Sequence, residues 1–304
     1  MTSQTTLGTS PAAIQRAGES SNLAGRKTRA TIVQGILFLS TVFALLVLGA
    51  LIWDIASAGG SWLSLDLLTN TSSRKPEQSG LRPALLGTLW VIGLTALFAF
   101  PIGVGAAVYL EEYAPDNRWT RLLKTNISNL AGVPSVVYGL LGIGVFVSLL
   151  SLGRTVISGA LTMGLLILPV IIIASQEAIR AVPPSLRQAA FALGATRWQV
   201  ARDHVIPTAM PGILTGIILS ISRAIGETAP LLVVGAAAYV TFNPTGLTSK
   251  YTVLPMQIYE WARRPQQDFQ DLAAAAIIVL LALLLILNAT AIYFRQRFSK
   301  KINW

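Results

Sequence analysis

The 304-residue chain has no cysteine and a single histidine, and only 12% of its residues are charged. Without cysteine there is no disulfide framework, no thiolate metal site and no cysteine nucleophile, and cysteine usage says nothing about redox compartment. One histidine, His204, cannot make a two-histidine zinc site or an H-E-x-x-H motif. No G-x-x-x-x-G-K-[ST] phosphate cradle occurs, so the chain does not bind ATP in the P-loop manner on its own. What it has in abundance is apolar surface: 53% of residues are hydrophobic and the mean hydropathy is +0.62. That exceeds what one water-soluble globule buries, and the bilayer is the expected solvent.

Six uncharged apolar runs approach or exceed the ~20 residues that a transmembrane helix needs. They are 31–53, 83–110, 126–150, 155–176, 206–222 with apolar character continuing to 240, and 272–294. The composition therefore predicts an all-α, polytopic membrane helix bundle of about six spans. Residues 1–30, with nine Ser or Thr and the basic cluster Arg26, Lys27 and Arg29, read as a disordered cytosolic tail, and 31–304 as one membrane domain. Ala56, Ser57 and Ala58 imitate a signal-peptidase site, but the polar lead is long and the 23-residue run exceeds a usual signal core, so the first span reads as uncleaved. If each run crosses once, 15 Lys or Arg lie on the side of the termini and 7 on the other, which places both termini in the cytosol. The net charge of +10 is spread over the loops between spans, which suits anionic lipid headgroups and not nucleic acid.

The run 206–240 is too long for one span, since 35 helical residues extend about 52 Å against a hydrocarbon core of about 30 Å. It is also too short for two spans with a turn. One span from about Pro207 into the 220s, followed by an apolar segment packed against the outer face, is expected.

Between the fourth and fifth runs, Ser185 to Pro207 reads as two short helices joined at Gly194. Ser185 is a plausible N-cap, Gly194 suits the left-handed C-terminal position, and Thr196 can cap the next helix. Leu186, Ala189, Ala190 and Leu193 fall on one helical face, whose small alanines permit close approach of a partner. An amphipathic connector lying on headgroups fits the same pattern. The spacing adds to it: Gln188-Ala189-Ala190, three residues, Gly194, then nine residues before a segment ending in Ile206-Pro207 resembles the EAA loop of ATP-binding-cassette importer permeases. In that family the loop is a coupling helix seated in a groove of the cytosolic ATPase. Here Gln188 replaces the usual Glu and His204 stands where Ile is usual. Histidine is the residue type most often used as a proton relay, but His204 sits among Arg202 and Asp203 in the loop and reads as structural in preference to that role.

Arg223-Ala-Ile-Gly-Glu-Thr-Ala-Pro230 places Arg223 and Glu227 four apart in an apolar stretch. On a helix they share a face, and each costs about 2.5–3.5 kcal/mol at mid-bilayer, so the pair should meet protein or water and not lipid. Two readings fit. Glu227 simply neutralises Arg223, or the guanidinium serves a pathway, where its planar fork of donors suits a tetrahedral oxyanion. In the second reading Glu227 holds Arg223 and moderates its attraction, Thr228 adds a hydroxyl, and Gly226 and Pro230 mark a helix discontinuity. A second interruption is Asn129-Leu-Ala-Gly-Val-Pro-Ser-Val-Val-Tyr-Gly139, where Pro134 breaks the ladder beside Ser135 and Tyr138. It reads as a pathway element or as an ordinary packed kink.

Four stretches resemble the permeases of phosphate importers of the ATP-binding-cassette class: Pro101 to Tyr113, the N-L-A-G-V-P-S-V-V-Y-G run, the A-L-G-A-T-R-W loop, and R-A-I-G-E-T-A-P-L-L at 223–232. The E-T-A-P-L-L ending looks like one of the two permease types of these importers and not like the sister type, PstC, which diverges after G-E-T. The resemblance implies a type I importer permease fold over 31–304 with a coupling loop at 177–205. It further implies a PstC-like permease partner, a PstB-like ATPase dimer that holds ATP and Mg, and a PstS-like phosphate-binding protein outside, with no cofactor on this chain and no enzyme activity of its own. Arg223 and Glu227 match charged pathway positions of that family. Thr228, Ser135 and Tyr138 are expected to join them, and Gln188, Ala189, Ala190, Gly194 and Pro207 to couple to the ATPase.

Three other functions compete. A permease of the same class for sulfate or molybdate fits Arg223 equally. A passive anion channel is disfavoured by the coupling-type loop. An intramembrane serine or aspartyl hydrolase fails for lack of a second catalytic group in a span.

Overall fold

A computed structural model describes residues 23–236 and 240–299, and among these the chain is helical with no strands. It divides into two compact units, 1–54 and 55–304. The first helix, α1 (Leu23–Gly59), contributes most of its length to the first unit. Over residues 26–54 no side chain is buried and apolar residues occupy every side, the pattern of a helix whose solvent is hydrocarbon. The helix starts inside the segment 1–30 that composition assigned to a tail. Residues 1–22 of that segment lie outside the described residues.

The second unit follows in order as α2 (Leu65–Thr69), α3 (Arg82–Val108, extended by a π turn Tyr109–Tyr113), α4 (Arg118–Ala131), α5 (Ser135–Gly142, extended by a π stretch Ile143–Leu149), α6 (Val156–Arg180), α7 (Pro184–Ala192), α8 (Arg197–Gln199, extended by a π stretch Val200–Val205), α9 (Ile206–Gly226), α10 (Ala229–Val234), α11 (Leu254–Ala262) and α12 (Gln267–Ser299). Five helical segments are long and apolar enough to cross a membrane, and α4 with α5 would make a sixth if counted as one broken span. The run 126–150 is therefore not a straight span. Its first six residues close α4, and the axis turns by 101° before α5 begins. Pro134 accounts for the break, because it has no amide hydrogen to continue the ladder and its ring disfavours a helical residue before it, and the chain is extended there at φ −55°, ψ 136°.

Helix α6 lies at the centre, packed on α3, α5, α9 and α10. Hydrophobicity does not drive helices together in lipid, so close approach and interhelical hydrogen bonds must do so. Both are present. Gly212 and Gly216 of α9 face Ala178 and Ala174 of α6, and a Cβ at position 212 would stand 2.8 Å from the Ala178 methyl. The Thr95 hydroxyl of α3 donates to the Ala160 carbonyl of α6 at 3.1 Å. At the other end of α3, Leu81, Leu254, Trp261, Phe269 and Leu272 form a second cluster with α2, α11 and α12, and Arg264 lies over the Phe269 ring at 4.2 Å.

Candidate functional site

Helix α9 stops at Gly226, because Glu227 adopts an extended conformation (φ −78°, ψ 117°) and Pro230 cannot supply an amide to prolong the ladder. Arg223 and Glu227 thus do not share a helical face as their spacing suggests. Glu227 lies just beyond the helix end, and its carboxylate reaches back to accept from Arg223 Nε at 3.3 Å. The Arg223 side chain keeps 53% of its surface exposed, whereas that of Glu227 keeps 19%. A half-exposed guanidinium on an apolar helix has no place against acyl chains, so this surface demands a second protein or a water-filled path. Thr228 is half-buried at the start of α10, where its carbonyl accepts from Leu232 N at 2.9 Å.

The apolar segment after the break packs on its own chain. Gly139 of α5 abuts Pro230 and Val233 of α10, and Gly142 abuts Val234, so α5 and α10 run alongside one another in the same direction. The two interruptions found in the sequence, at Pro134 and at 227–228, accordingly open at the same end of this helix pair. Ser135 is half-buried at the first turn of α5. Tyr138 is buried, and its hydroxyl donates to the Leu130 carbonyl at 2.8 Å, which braces the α4–α5 bend. The structure thus gives Tyr138 a structural hydrogen bond inside the chain and leaves Arg223 as the exposed polar group at the break.

The second part of the site is the hairpin of α7 and α8. Ser185 is not the N-cap of α7. The helix begins one residue earlier at Pro184, whose missing amide costs nothing in a first turn. Gly194 takes the left-handed conformation at φ +84°, and Thr196 forms a capping box with Gln199. The face expected to be continuous is divided. Leu186 and Ala190 turn inward, Ala190 being 5% exposed, while Gln188, Ala189, Phe191 and Leu193 remain at the surface. Ala190 therefore packs on its own chain and is not available to a partner, and Leu193, 90% exposed, is the prominent apolar knob. Gly194 is exposed, and Pro207 is half-buried in the first turn of α9.

A cluster of ion pairs that sequence reasoning did not single out ties this hairpin to the spans. Arg187 of α7 donates to Glu112 Oε1 at 2.8 Å and to the carbonyls of Val182 at 2.8 Å and Ile179 at 3.0 Å. Beside it Glu111 accepts from Arg180 at 2.9 Å and from Lys124 at 2.9 Å. The ends of α3 and α6, the middle of α4 and the start of α7 are thereby joined by charge-assisted bonds, the stronger kind. The available signal was the doublet Glu111-Glu112 directly after an apolar run, but nothing local indicates its partners.

A helix broken beside an exposed guanidinium, and an ion-paired joint bearing an exposed hairpin, in a bundle of apolar helices fit a membrane transport subunit. The sequence pattern of the family described as binding-protein-dependent transport system inner membrane component matches residues 99–303, and the chain belongs to that family. It is 32% identical to the probable ABC transporter permease protein YqgI of Bacillus subtilis over 91% of this chain and 99% of that one. It is 31% identical to the phosphate transport system permease protein PstA of Haemophilus influenzae over 90% of this chain and 96% of that one. A solved chain of a bacterial alginate ABC transporter, crystallised with alginate pentasaccharide-bound periplasmic protein, superposes with a TM-score of 0.66 at 19% identity, covering 92% of this chain and 99% of that one. That likeness shows the fold alone, and the family match with the long apolar helices makes the chain a multi-pass inner-membrane protein.

Proposed function

We propose that the chain is the PstA-type permease subunit of an ATP-driven inorganic phosphate importer. Its membrane partner is a PstC-like permease, its ATPase a PstB-like dimer that holds ATP and Mg, and its external donor a PstS-like phosphate-binding protein. ATP hydrolysis resides in the ATPase and not in this chain. Both termini and the α7–α8 hairpin face the cytosol, in keeping with the Lys and Arg distribution.

The observation that carries the reading is the half-exposed Arg223 at the helix break, held at 3.3 Å by Glu227 on a surface that one chain leaves uncovered. A phosphate entering between the two permeases meets a permanent cation with free donors, and Glu227 keeps that cation from binding so tightly that release fails. Thr228 and Ser135 supply hydroxyls at the same opening. Closure of the ATPase moves α7, and Arg187 passes that displacement to the ends of α3 and α6 through Glu112 and the two carbonyls. The cycle runs forward only if ATP binds the outward-open state better than the inward one.

The test is uptake of radiolabelled phosphate by the reconstituted complex with its binding protein and ATP. Arg223→Gln at matched assembly is expected to reduce uptake at least about tenfold, the effect of raising the transport barrier by ~1.4 kcal/mol. Full uptake by the variant overturns the role of Arg223, and equal competition by sulfate overturns the substrate.

A further inference from the structure

Helix α4 has an apolar face that the other described residues leave bare. Trp119, Leu122, Leu123 and Leu130 lie on one side of its helical projection and are all exposed, Trp119 at 74%. Arg121 and Ser128 occupy the opposite side, Arg118 and Thr125 border it next to Leu122, and exposed Asn126 sits among the leucines. Between the two sides, Ile127 packs on the core and Lys124 bonds Glu111 at 2.9 Å. The helix thus touches protein along one edge and presents an apolar and a polar flank to two different surroundings.

Three observations identify those surroundings. The axis of α4 turns 101° from α5, so if α5 runs along the membrane normal α4 runs near the membrane plane. Its level is set by the Lys124–Glu111 bond, because Glu111 sits in the last turn of the span 82–113 and is also held by Arg180, the last residue of the span 156–180. That level is the boundary between hydrocarbon and water. The residue types match it, with an indole at one end, leucines on one flank and arginines on the other.

We infer that α4 is an interfacial helix that lies in the headgroup layer of the leaflet bearing the α7–α8 hairpin, its leucine flank in the acyl boundary and Arg118 and Arg121 among lipid phosphates. The partner is the lipid surface itself. Its role is to hold the Glu111–Lys124–Arg180 joint at a constant depth while α7 moves. The inference rests on the membrane reading of the fold and is independent of which anion is carried.

The absence of cysteine makes the test direct. Single substitutions Leu123→Cys, Leu130→Cys, Arg121→Cys and Ser128→Cys, each at an exposed position, are introduced into the assembled transporter, spin-labelled, and reconstituted in vesicles of phosphatidylcholine and phosphatidylglycerol. The labelled wild-type complex supplies the background from partner cysteines. Collision with oxygen is expected to be several-fold greater at 123 and 130 than at 121 and 128, and collision with a water-soluble nickel chelate the reverse. Labels at 123 and 130 that neither reagent reaches would put the leucine flank beneath a partner protein and overturn the inference. Labels there that the chelate reaches as freely as at 121 would put the helix in water, which overturns it equally. Two positions per flank keep the result interpretable if one variant fails to assemble.

Discussion

Arg187 satisfies three acceptors at once, Glu112 and the carbonyls of Ile179 and Val182, from a position only partly open to water. Its removal leaves Glu112 without its cation and takes a donor from the Val182 carbonyl, while the Ile179 carbonyl still accepts from the Val182 amide at 3.2 Å, a loss of about 1–3 kcal/mol by the usual cost of unmade bonds in partly buried sites. Arg187→Ala is therefore expected to lower the melting temperature of the purified complex and to reduce uptake per ATP hydrolysed. Arg187→Lys should recover only part of either, since an ammonium cannot span a carboxylate and two carbonyls in one plane. Unchanged coupling in Arg187→Ala would mean that α7 is not moved through this joint. Arg223 differs in kind. Among the described residues its side chain bonds Glu227 and keeps 53% of its surface exposed, so its loss should change transport more than stability.

Among the helices, the α6–α9 contact is sensitive to volume, because Gly212 and Gly216 permit close approach to Ala178 and Ala174. A Cβ at position 216 would fall on the Ala174 methyl, so Gly216→Ala forces the helices apart, at a cost of about 1–3 kcal/mol for overpacking. The combination Gly216→Ala with Ala174→Gly restores the space and should recover most of that loss in thermal unfolding of the complex. If the double variant is no more stable than Gly216→Ala alone, the two helices are not apposed at this point.

In the whole molecule, three surfaces stay bare among the described residues: the Arg223 break, the leucine flank of α4, and the tip of the α7–α8 hairpin. Leu193 at 90% exposure and Phe191 at 48% are large apolar side chains with no place in this chain's core. Such residues become anchors when a partner encloses them, and truncation of an anchor costs about 2 kcal/mol or more. Leu193→Asp is accordingly expected to weaken recovery of the ATPase with the permease by tenfold or more, with membrane insertion unaffected. Co-purification at wild-type stoichiometry would exclude the hairpin tip as the docking element.

How much of this was legible in one dimension follows from the range of the forces involved. The runs of apolar residues, the interruption after Gly226, the left-handed Gly194 and the Thr196 cap depend on side chains within a few residues of one another, and each was readable before any coordinate. The partnership of Arg187 with Glu112 joins residues 75 apart, and no local pattern distinguishes Glu112 from any other carboxylate at the end of an apolar run. The same holds for α7, where helical periodicity grouped Ala189, Ala190 and Leu193 on one face although only Ala190 of these three is buried. The bend at Pro134 was visible as a break, but its 101° angle and the bare leucine flank it creates came from packing. Apolar length and backbone punctuation dictate where this chain crosses the bilayer and where its helices stop. Which faces then meet its own core, and which wait for lipid or a partner, is settled by long-range contacts among surfaces of nearly identical composition.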